Sequence, residues 1–197
     1  MDLSALEIIH YPHPTLRHTS RPIQRVDDEL RDIIRHMFPL MYEARGVGLA
    51  ANQIDLPLRV FITNLEVEPE EGEERVFINP VISQTKGIIE QEEGCLSIPG
   101  VNGNVKRPER VKIQAYDLDG QAIDLTVDGL FARVVQHEVD HLHGVLFTDR
   151  LSETGKMAVR EDIEELESSF RCRRETGSMP SDQEIRARGR EMEERYG

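Results

Sequence analysis

The chain has 197 residues, 38% of them hydrophobic, enough to bury one core of single-domain size. Its 24 Lys and Arg against 37 Asp and Glu give a net charge of −13, which excludes a general electrostatic grip on nucleic acid. Two cysteines exclude a disulfide framework, and no apolar run approaches the roughly 18 residues of a membrane span. With no basic and apolar leader segment, the composition reads as a cytoplasmic protein in a reducing compartment.

The first predicted element is a helix over residues 27–45. Leu30, Ile33, Ile34, Met37, Phe38 and Met41 follow the 3.6-residue period, Asp27 caps the start and Gly46 ends it. Pro39 falls inside, which predicts a kink near Arg35 or a break at about 3 kcal/mol. Strand-like runs follow at residues 58–63, 75–82, 111–116 and 121–127, with a turn at Asp117-Leu118-Asp119-Gly120. Between the first two runs, the acidic stretch 66–74 reads as a solvated loop. A second helix is expected from near Asp128 to near Gly144, with Leu130, Phe131, Val134, Val135 and Leu142 as its apolar positions. A third covers about 152–170, with Val159, Ile163, Leu166 and Phe170 on one stripe. These elements give an α+β fold: antiparallel β-sheets packed around a central helix, with an N-terminal and a C-terminal helix. Residues 1–170 form the expected catalytic domain. The tail 171–197 holds seven Arg and six Asp or Glu and little apolar content, which predicts a mobile or partly helical segment.

The central helix carries the chemistry. His137-Glu138-Val139-Asp140-His141 places two imidazoles four residues apart on one helical face, within reach of one cation, with the Glu138 carboxylate beside them. Packed inside a domain, such a group is costly without a partner. The extended peptidase motif would place a third His at 147, where this chain has Phe147. Cys95, in Glu93-Gly94-Cys95-Leu96-Ser97, is the better third ligand. Cys, His and His together leave a coordination position open, as catalytic sites require. Two alternatives stay open at this point. One is a zinc peptidase whose third ligand is Glu161, Glu164 or Glu165, and the other is a non-catalytic module that keeps its metal for structure.

With Gly46-Val47-Gly48-Leu49-Ala50-Ala51-Asn52-Gln53 added, the chain holds three motifs in order: GxGLAAxQ, EGCxS and QHExDHLxG. Together they resemble peptide deformylase. The resemblance implies removal of the N-formyl group from the initiator methionine of nascent polypeptides, releasing formate. It implies a divalent metal on Cys95, His137 and His141, with Fe²⁺ as the working ion and Zn²⁺, Ni²⁺ or Co²⁺ possible in purified protein. Glu138 would be the general base. Gln53 and the backbone N–H of Leu96 would hold the oxygen that becomes negative. Glu93 would pair with Arg107 and brace the Cys95 loop.

Counting back along the helix from His137 names Val134, Arg133 and Leu130 as pocket candidates, to which the resemblance adds Val47 and Gly48. The Arg133 stem would line the pocket while its charge reaches water. Asn102 stands where many deformylases carry an arginine near the substrate. Formyl-methionyl nascent peptides are the expected partners, with transient ribosome contact possible. No role is expected for His10, His13, His18 or His36, nor for Cys172.

Overall fold

The computed structural model describes residues 3–66, 68, 69 and 71–197. Val67 and Glu70, within the expected acidic loop, lie outside the described residues. Helix α1 spans Asp28–Glu43, and the Asp27 carboxylate accepts a hydrogen bond from Leu30 N at 2.9 Å. Pro39 does not break it: the helix is continuous around the proline. The six predicted apolar positions are all buried. At roughly 1.5–3 kcal/mol for each fully buried side chain, their packing outweighs one lost backbone bond.

Five strands form one antiparallel sheet in the order β1 (Gly48–Ala50), β2 (Val60–Thr63), β3 (Arg75–Lys86), β6 (Arg110–Tyr116), β7 (Ala122–Asp128). Between β3 and β6 the chain makes a separate hairpin, β4 (Ile89–Cys95) with β5 (Ile98–Arg107). Strands β1, β4 and β5 are absent from the sequence reading. β4 defeats hydropathy because its one buried residue is a carboxylate, Glu93, and the rest are half or fully exposed.

Helix α2, Gly129–Leu142, carries the histidine motif. Its Ala132, Val135, Val139 and Leu142 pack on Phe61, Phe77, Val111 and Ile113 of the sheet. Phe61 and Phe77 stack with centroids 4.8 Å apart. Leu130, read as a buried position, is instead 56% exposed. A second cluster joins α1 to β1 and β2, and a third joins β5 to Leu146, Phe147, Leu151 and Val159.

The predicted third helix is two, α3 (Glu153–Ala158) and α4 (Arg160–Glu175), so the expected boundary at 170 falls inside a helix. Of the two readings of the tail, mobile or partly helical, the structure has the helical one. Helix α5, Asp182–Tyr196, starts at a Ser181 capping box and buries Ile185, Met192 and Tyr196. Met192 and Tyr196 enter the same core as α1. Gly189 lies within α5, where a Cβ would stand 3.3 Å from Pro57.

Candidate metal centre and active site

Strand β4 delivers Cys95 and helix α2 delivers His137 and His141 to one point. The two Nε2 atoms are 3.2 Å apart, and Cys95 Sγ lies 3.3 Å from His141 Nε2. All three ligand atoms lie within 4.8 Å of one another. A tetrahedral cation with bonds of about 2.0–2.3 Å needs ligand atoms about 3.3–3.6 Å apart, close to these two separations. The donor set, one thiolate and two imidazoles, suits Zn²⁺ and the later first-row divalent ions. Among the described residues this is the one such group, and Glu161, Glu164 and Glu165 are exposed on α4 and stand outside it. The peptidase alternative therefore lacks its ligand. Phe147 is buried and its ring stacks on His137 at 6.4 Å.

Glu138 is buried beside this group, and its Oε2 has no hydrogen-bond partner. Burial pushes its pKa up to about 7, against the opposing charges of His137 and Arg107. Strand β1 passes close by. A Cβ on Gly48 would lie 2.5 Å from Glu138 Oε1, so only glycine leaves the carboxylate its place. Gln53 lies just beyond β1. Its Oε1 accepts from Ala50 N at 2.9 Å, which turns Nε2 toward Ser97 Oγ at 3.2 Å and Cys95 Sγ at 3.6 Å. Leu96 follows Cys95 in the hairpin turn.

Behind Cys95, His137 and His141 lies a buried ion network. Glu93 accepts from Arg107 Nε and Nη2 at 2.6 and 2.8 Å and meets His137 Nδ1 at 3.1 Å. Burial disfavours the Glu93 charge, but these hydrogen bonds outweigh it and hold the pKa at about 2. Arg107 also donates to Asp140 at 2.7 Å, and Arg150 grips the same carboxylate. For His137 burial opposes protonation, yet Cys95 and Glu93 raise its pKa to about 10; His141 is driven down by burial and by the neighbouring His137 charge.

A cavity of about 630 Å³ opens in front, lined by Val47, Gly48, Leu130, Arg133, Val134 and His10 among others. The expected water-facing charge on Arg133 is not there. Arg133 is 6% exposed, and its guanidinium donates to Gln91, Glu93 and the carbonyls of Ile89 and Val105. Sequence reading missed three participants here. His10 borders the cavity because Ile9 N bonds Gln53 O and Tyr11 N bonds Ser97 O, both at 2.8 Å. Asp140 and Arg150 complete the ion network, and for Asp140 its place inside the helical motif was the available signal.

A family model, polypeptide deformylase, matches residues 5–157. The chain belongs to the peptide deformylase family. Its members are metal-dependent hydrolases that remove the N-formyl group from nascent peptides. A peptide deformylase of Rhodopirellula baltica is 48% identical over 191 residues, 97% of this chain and 95% of that protein. One from Chromobacterium violaceum is 42% identical over 84% of this chain and 98% of its own length. Among solved structures, a plant peptide deformylase 1B matches with a TM-score of 0.84 at 39% identity, covering 91% of this chain and 96% of that one. The deformylase of Legionella pneumophila gives a TM-score of 0.76 at 37% identity, covering 89% and 99%.

Proposed function

We propose that Cys95, His137 and His141 hold the deformylase metal and that Glu138 is the general base and acid acting on formyl-methionyl peptides. The observation that carries this is the unpartnered, buried Glu138 Oε2 beside three converging ligand atoms. When bound, the cation supplies Lewis acidity toward the formyl carbonyl and the attacking water. Glu138, poised near neutrality, accepts the proton that water gives up and returns it to the amine nitrogen as the C–N bond breaks. The Gln53 amide and the Leu96 backbone N–H stabilise the carbonyl oxygen as it becomes negative, each worth on the order of 3 kcal/mol. Val47, Gly48, Leu130 and Val134 line the methionine pocket, with the Arg133 stem as part of its wall. Glu93 fixes the His137 ring through Nδ1, and Arg107 fixes Glu93.

The working metal is Fe²⁺, with Zn²⁺, Ni²⁺ or Co²⁺ replacing it in aerobic purification. The protein acts in the cytoplasm on chains emerging from the ribosome, which it touches transiently. No helix among the described residues is long and apolar enough to cross a membrane. Formate release from formyl-Met peptides, assayed anaerobically alongside metal analysis, tests the assignment: Glu138→Ala keeps its metal and loses nearly all turnover. Metal lost together with activity in that variant would make Glu138 a ligand instead.

A further inference from the structure

We infer that Arg133 is a positioning residue that locks the metal ligands to one another, and that its charge does not read the substrate. This rests on the ligand assignment above. Arg133 stands one helical turn before His137 on α2, so both side chains project from the same face. Its guanidinium offers five N–H donors, and four bonds leave it. Nε reaches Gln91 Oε1 at 3.0 Å, Nη1 reaches Glu93 Oε1 and Val105 O, the latter at 3.1 Å, and Nη2 reaches Ile89 O at 3.1 Å.

These acceptors belong to both strands of the hairpin. Ile89, Gln91 and Glu93 are on β4, which ends at Cys95, and Val105 is on β5, opposite Gln91. One side chain on the helix of His137 and His141 therefore grips the hairpin that carries the third ligand. Two strand carbonyls, Ile89 O and Val105 O, are held from the helix side.

The second consequence runs through Glu93. That carboxylate, 5% exposed at its side chain, takes Arg107, Arg133 and His137 Nδ1 together. Arg107 is itself shared with Asp140. With Arg133 removed, Glu93 keeps Arg107 and His137, and its Oε1 loses one of two arginine donors in a buried site. The carboxylate that orients the His137 ring is then held against turning by Arg107 alone. Groups that orient a metal-bound imidazole in this way typically contribute 10–100-fold in metal affinity. A residue that only lined the pocket would behave differently, altering preference among side chains and leaving the metal alone.

The test uses the full chain stripped of metal and titrated with Zn²⁺ against a competing chromophoric chelator, with deformylation of formyl-Met, formyl-Leu and formyl-Gln peptides measured in parallel. Arg133→Leu is expected to weaken Zn²⁺ binding about 10–100-fold. It should lower kcat on the formyl-Met peptide together with Zn²⁺ affinity, whatever the changed pocket wall does to the preference among the three peptides. Arg133→Lys retains a cation near Glu93 but cannot hold both strand carbonyls, so its affinity falls in between; it decides the matter if the leucine variant does not fold. Wild-type affinity in a folded Lys or Leu variant overturns the inference, whether or not peptide preference has moved. His137→Ala serves as the control: unchanged Zn²⁺ affinity there sinks the ligand assignment itself, whereas affinity lost in His137→Ala and kept in the Arg133 variants sinks only the role of Arg133.

Discussion

Gly48 and Glu138 face each other so closely that a Cβ on the glycine would stand 2.5 Å from Oε1 of the carboxylate and 3.0 Å from Val134 Cγ1. β1 and α2 are thereby set at the spacing of a bare backbone. Gly48→Ala should push Glu138 aside or shift β1, and displacement of a reacting group by about 1 Å typically lowers turnover about 100-fold. Metal content should stay at the wild-type level, because the atoms nearest that Cβ position belong to Glu138 and Val134. Full activity in Gly48→Ala, measured as formate release, would mean that Glu138 works from another rotamer.

The Glu93 pair with Arg107 predicts acid sensitivity of the metal-free protein. Glu93 drops from 4.5 to about 2 on folding, so its contribution is present above pH 4.5 and is lost as pH falls toward 2. A difference of that size corresponds to about 3 kcal/mol. Glu93→Gln should lower stability at neutral pH and flatten the decline between pH 4.5 and 2, as read from denaturant midpoints of the apo protein. Parallel pH profiles for wild type and variant would place the acid sensitivity elsewhere.

What was legible follows from range. His137, Glu138 and His141 sit within five residues, and helical periodicity alone brings them together. α1 was readable for the same reason, since its apolar face repeats locally and Pro39 is one defect against six buried side chains. The β4–β5 hairpin was not, because it buries Glu93 on arginines from β5 and α2, and ion pairs between distant residues leave no hydropathy pattern. Arg133 was placed on the right face of α2, but its acceptors lie 28 to 44 residues away, so the direction of its charge could not be counted out along the helix.

Helix α5 hid because its buried residues are sparse. Ile185, Met192 and Tyr196 form a narrow stripe in a strongly charged segment, yet Tyr196 is fully buried against the α1 core. Tyr196→Ala should therefore destabilise the whole domain by about 3 kcal/mol, in the range of large aromatic truncations. Chemical denaturation followed by circular dichroism reads this directly. A midpoint within error of wild type would show that residues 182–196 do not contribute to the fold's stability in solution.

The two cysteines offer the sharpest internal control, because they differ in place and not in chemistry. Cys95 is one of the three residues that could hold a metal, with His141 Nε2 3.3 Å from its sulfur, and Gln53 Nε2 3.6 Å away. Cys172 is exposed on α4. Replacing sulfur by the smaller, harder hydroxyl oxygen at Cys95 removes the one soft ligand and leaves two imidazoles, which hold divalent ions less tightly. Cys95→Ser should lose metal and deformylation together, while Cys172→Ser keeps both at wild-type levels. Metal analysis after gel filtration gives the comparison in one experiment. Stoichiometric metal in Cys95→Ser would remove the sulfur from the ligand set, leaving the site to find its third donor among other groups of the cavity.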